Sequence, residues 1–135
     1  MTVSTALLPL QTAVYQRLSS DPLVSGMVTG VYDVVAAEHV FPYLTIGEPN
    51  MLPIETKDTY NEEISLVIHA WSIYAGKKEA YQLLDAILKA IGKGLSIEGP
   101  FTLLKIKKPS MNVIDDADPR IKHGIARFTF TIKNN

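Results

Sequence analysis

Residues 62–71, EEISLVIHAW, alternate without interruption. Ile64, Leu66, Ile68 and Ala70 take one face of an extended chain, and Ser65, Val67, His69 and Trp71 take the other. Both faces carry apolar side chains, and a strand of that kind belongs in the interior of a sheet with neighbours on either side. The rest of the chain has to be arranged around it.

The run Lys122–Lys133 repeats the alternation, with Gly124, Ala126, Phe128, Phe130 and Ile132 facing one way and Arg127, Thr129, Thr131 and Lys133 the other. Phe101–Lys108 reads as another strand, stopped by Pro109, and DDADPR as the turn that follows. Two short β-rich runs, GVYDVV and FPYLTIG, come earlier, the second bounded by Pro42 and Gly47. The period switches to the helical value twice. Leu10, Ala13, Val14 and Leu18 define a helix from Pro9 to Ser19, followed by a short turn at Pro22–Ser25. Ala80, Leu83, Leu84, Ile87 and Ile91 define a second over 77–93, closed by Gly92 and Gly94 with Lys89 and Lys93 in its last turn. These elements predict an α+β fold, an antiparallel or mixed β-sheet with two main α-helices packed on one face. A length of 135 residues suits a single domain, 1–135.

Glu48–Asn61 contains two prolines and mixed charges with no clean period, and reads as a long mobile loop. It holds Met51, Leu52 and Ile54, with Lys57 and Tyr60 beyond them. Two readings stand side by side. Either the apolar trio folds back to close the core, or it anchors in a partner on assembly. In the second, Met51, Leu52, Ile54, Lys57 and Tyr60 form the candidate partner-binding set.

Signals for chemistry are weak. The absence of cysteine removes disulfides, thiol catalysis and thiolate metal sites. A net charge of −1 and a pI near 6.3 give no global attraction for nucleic acid or an anionic membrane. The N-terminal stretch has no basic region ahead of its apolar residues, and no run approaches a membrane span of ~18 residues. His69 shares a strand face with Trp71, but no spacing couples it to His39 or His123, so a packing role outweighs a catalytic or metal-binding one. AGKKEA lacks the upstream glycine and the Ser/Thr of a phosphate loop, and reads as a turn before exposed lysines. Asp115, Asp116 and Asp118 lack the glycine and glutamate of a calcium loop. Lys105, Lys107 and Lys108 have no interleaved aromatics, and a solvated or guarded strand face is favoured over a nucleic-acid site. No cofactor is expected.

Four stretches in order carry a resemblance: VYD (31–33), FPYLTIG (41–47), IHAWSIYAGKKEA (68–80) and HGIARFTF (123–130), preceded by the helical LQTAVYQRLSSD. The chain resembles the tail-completion, or tail-to-head joining, proteins of phages with long non-contractile tails, siphophages of Gram-positive hosts and related prophages. The resemblance implies a virion protein that is not an enzyme. It implies a monomer when free, which caps the head-proximal end of the tail tube as a ring and docks on the connector of a DNA-filled head. The implied partners are other copies of itself, the tail tube protein and a head connector or stopper protein, with no membrane and no specific nucleic-acid binding. Its place is the head–tail interface, after synthesis in the host cytoplasm. The matched residues carry fold: Pro42 and Gly47 bound a strand, Trp71 and Gly76 form a strand-to-helix seam, and Gly124 and Phe128 pack the last strand. The competing readings are a head-side closure or connector component, a small enzyme using His69 or His123 as general base, and a nucleic-acid module built on Lys105, Lys107 and Lys108.

Overall fold

The computed structural model describes residues 3–135, so Met1 and Thr2 of the domain 1–135 and of the N-terminal stretch lie outside the described residues. The elements run α1 (Leu7–Ser20), α2 (Pro22–Met27), β1 (Val31–Tyr32), β2 (Tyr43–Glu55), β3 (Tyr60–Ser72), α3 (Lys78–Gly92), β4 (Phe101–Asp115) and β5 (Lys122–Asn134). The sheet has five strands in the order β1-β2-β3-β5-β4. It is mixed: β1 runs parallel to β2, and every other pairing is antiparallel. The two-faced strand at 62–71 lies at the centre of this order, within β3.

One face of the sheet is covered by α1 and α3. Ile64, Leu66, Ile68 and Ala70 of β3 and Ala126, Phe128, Phe130 and Ile132 of β5 are buried there against Leu10, Val14 and Leu18 of α1 and Leu83, Ile87 and Ile91 of α3. These are the stripes that the two periodicities mark. Gly124 gives the helix its close approach, since a Cβ there would lie 3.3 Å from both Ala70 and Leu84. Among the described residues no helix lies over the opposite face, which is half-buried by its own side chains.

Pro22–Ser25, expected as a turn, opens the helix α2, and of GVYDVV only Val31–Tyr32 is strand. Two longer stretches also depart from the expected boundaries. Glu48–Asn61 is not a loop. β2 continues through an irregularity between Ile46 and Pro49, pairs with β3 up to Glu55–Tyr60, and turns only at residues 56–59. The prolines hid this strand, and their register explains why they are tolerated. The turn is closed by Thr56 N–H donating to Thr59 O at 2.9 Å. Antiparallel pairs alternate between bonded and non-bonded, so Ile54–Asn61, Leu52–Glu63 and Asn50–Ser65 are the bonded ones. Pro49 and Pro53 then fall at non-bonded positions, where the missing N–H would point away from β3. Pro109 likewise does not stop β4, which reaches Asp115 because the proline sits in an irregularity between Lys107 and Ser110.

Two buried carboxylates tie the helices down. Glu62 of β3 is fully buried, and accepts from Ala6 N at 2.9 Å and from Thr5 Oγ1 at 2.6 Å. Because α1 has no side-chain cap within its own segment, Glu62 caps its N-terminus from the sheet face on which the helix lies. Asp21, 2% exposed, accepts from the N–H groups of Leu23 and Val24 at 3.1 Å, caps α2, and pairs with Lys93 beyond α3. The Lys93 ammonium, ahead of the opposing effect of burial, holds the Asp21 carboxyl below its usual range, and the backbone N–H groups add to this.

Candidate partner surfaces

The hairpin of β2 and β3 divides the expected partner-binding set. Register puts Leu52 and Ile54 on the open face, opposite Glu63 and Asn61, and leaves them 56% and 37% exposed. Met51, opposite Ile64, turns to the helix side and packs partly buried against the core. The apolar trio is therefore split: Met51 closes the core, and Leu52 and Ile54 face solvent. Lys57 is exposed in the turn, and Tyr60 is half-buried where β3 begins. Beside Ile54, the side-chain oxygen of Asn61 is buried without a hydrogen-bond partner among the described residues. An unpaired acceptor next to exposed apolar carbon is unusual for a finished surface.

A second apolar surface lies at the other end of the sheet, where β2 begins and β3 ends. Val34, Val35 and Val40 of the β1–β2 connection are exposed, as are Ile73 and Tyr74 after β3. Between them and the β4–β5 turn is a groove of about 630 Å³ lined by Phe41, Ile73, Ala75, Pro119 and Ile121, with Asp118 and Arg120 at its side. Arg120 is bound to Asp118 through Nε and Nη2. The pairing takes the Asp118 carboxyl down to about 2 and leaves the groove without a free charge from either residue.

The histidine and tryptophan sit on the open face near that end. Pairing across β3 and β5 places His69 beside Ile125 and Trp71 beside His123. Trp71 and His123 are stacked with centroids 3.9 Å apart, and Trp71 Nε1–H donates to Thr45 Oγ1 at 3.0 Å. His69 Nδ1 and His123 Nε2 are 2.6 Å apart, so one ring donates and the other accepts. Desolvation is the main cause that lowers both: His123 falls to about 4, helped by His69 and Arg127 against Asp116, and His69 falls through burial and Arg127 against Glu48. Burial favours the neutral form of both rings, which are bonded to each other and stacked on an indole. The sequence spacing gave no coupling between these histidines because strand pairing across 54 residues creates it. His39 joins neither ring; it stacks on Tyr32 at 3.6 Å. Among the described residues no group of three or more His, Cys, Asp or Glu side chains is placed to hold a metal ion. Ser72 Oγ donates to Glu79 at 2.6 Å and accepts from Tyr74 N at 3.1 Å, which fixes the strand-to-helix seam before Gly76.

Residues 12–133 match the family model described as Tail completion protein gp17. The chain is 35% identical over 136 residues to the Tail completion protein gp17 of Bacillus phage SPP1, covering all of both sequences. The solved structure of bacteriophage SPP1 gp17 is similar at TM-score 0.62 and 33% identity, over 93% of this chain and 90% of that one. A chain of the native gene transfer agent virion is similar at TM-score 0.82 over 92% of this chain and 94% of that one; at 22% identity this speaks to fold alone.

Proposed function

The chain belongs to the tail completion protein gp17 family, a structural component of phage tails in the virion, and from that premise we propose that it closes the tail tube as a ring and joins it to the head. Several copies pack side by side at the head-proximal end of the tube. One end of the ring meets the tail tube protein, and the other meets the connector or stopper of a DNA-filled head. The role is binding and needs no catalysis; the mutually bonded, neutral histidines fit packing better than a general base.

The observation that carries this reading is the pair of unburied apolar surfaces at opposite ends of one sheet. The end of the β2–β3 hairpin offers Leu52, Ile54 and the unpaired Asn61 oxygen, flanked by Lys57 and Tyr60, with Met51 anchoring it from behind. The far end offers Ile73, Tyr74 and the groove. A joining protein needs two such surfaces, and side-by-side contacts between unlike patches close into a ring when their rotation closes.

The test uses purified tails and DNA-filled heads, each incubated separately with the free protein. Leu52→Asp/Ile54→Asp and Ile73→Asp/Tyr74→Asp are expected to stay folded, and each to lose binding to one of the two particles. If both double variants restore infectious particles as well as the parent chain, the reading fails. Binding to filled heads in place of tails would assign the protein to head closure.

A further inference from the structure

We propose that the β4–β5 half of the open face binds the phosphodiester backbone of duplex nucleic acid, independently of base sequence. Register places Lys105 opposite Thr131, Lys107 opposite Thr129, Ser110 opposite Arg127 and Thr102 opposite Lys133, all facing away from the helices. Lys105, Lys107, Arg127 and Lys133 are exposed, and none of them forms an ion pair among the described residues. Glu63 is a carboxylate of this face, one strand further on, across Thr131 from Lys105. Beside Lys107, Lys108 and Arg127 the surface sinks into a hollow of about 320 Å³ lined also by Ser65, Ser110 and Thr129.

The composition selects the occupant. Protein interfaces are depleted in lysine and centred on apolar anchors. This strip is rich in lysine, and its apolar members are the half-buried Val67 and the exposed Leu104 with no aromatic anchor between them. Phosphate contacts are made by Lys and Arg together with Ser and Thr hydroxyls, which is the mixture here. Phe128 also borders the hollow, but its ring is buried toward the helices, so bases have nothing to stack on, and a duplex backbone is favoured over a single strand. The strip from Arg127 to Lys133 runs roughly 20 Å along β5. Duplex DNA presents about a dozen phosphates over that length. The near-neutral charge of the whole chain is consistent with a local, weak and salt-sensitive contact.

Fluorescence anisotropy with a labelled duplex of mixed sequence and the full chain tests this. Neutralising about four phosphates predicts a slope of log affinity against log salt near roughly −3.6, a fall of roughly 150-fold between about 50 and 200 mM salt. Lys105→Gln/Lys107→Gln/Arg127→Gln, checked for fold by circular dichroism, should weaken binding and reduce the slope to about −1. Absence of binding at 50 mM salt overturns the proposal, as does a triple variant with an unchanged slope. So does tighter binding of a single strand of the same length. Light scattering supplies one more outcome: salt-sensitive self-association lost in the triple variant, without DNA binding, would make this face a contact for an acidic protein surface.

Discussion

Gly47 has no room for a side chain, because a Cβ there would lie 2.6 Å from His69 Nε2 and 3.2 Å from the carbonyl oxygen of Val67. The ring cannot simply swing aside, since its other nitrogen is bonded to His123. Gly47→Ala is therefore expected to destabilise the fold by about 1–3 kcal/mol, with part of the loss recovered when His69→Ala is added. Chemical denaturation of the two single variants and the double closes that cycle. The histidine pair also sets a pH dependence. His123 has a folded value of about 4 against 6.5 for the free side chain, so the fold favours its neutral form. That contribution is complete above about pH 6.5 and is lost as pH falls from there to about 4. The ring is half-buried and solvent screens it, so the expected loss is about 1–2 kcal/mol. His123→Phe should flatten stability across that window; an unchanged slope would remove the pair as its cause.

At the scale of elements, what could be read from the chain was what repeats. The stripes of α1 and α3 and the alternation of β3 and β5 recur within a few residues, and the structure buries those positions. The second half of β2 was illegible because Pro49 and Pro53 break every strand pattern, and only a register shows that they cost no ladder bond. The split of Met51 from Leu52 and Ile54 follows from the same register, so the sequence marks these residues as one segment and cannot show that they divide between two faces. The cap on α1 was equally hidden, as Glu62 lies 56 residues from the amide it satisfies. Glu62→Ala would leave the Ala6 N–H buried and unpaired, at an expected cost of about 2–3 kcal/mol. Amide exchange should then quicken in the first turn of α1 before anything else. Uniform quickening throughout the chain would instead mark Glu62 as a general core residue.

For the whole molecule the order β1-β2-β3-β5-β4 has a consequence in time. Of the described strands, the last to be synthesised fills the slot between two made earlier. Until β5 arrives, β4 has no partner at all and β3 has one unpaired edge. Phe128 and Phe130, the largest of the fully buried side chains, come with it. On a ribosome the helices and the β2–β3 hairpin can form as they emerge, but the sheet cannot close until residue 134 is free of the exit tunnel. A chain truncated after residue 120 and released should remain open to protease throughout 101–120, and one stalled some thirty residues past the end of β5 should be resistant. The molecule thus closes its sheet in a single late step, and until then the β4–β5 turn beside the groove has no strand pair to hold it.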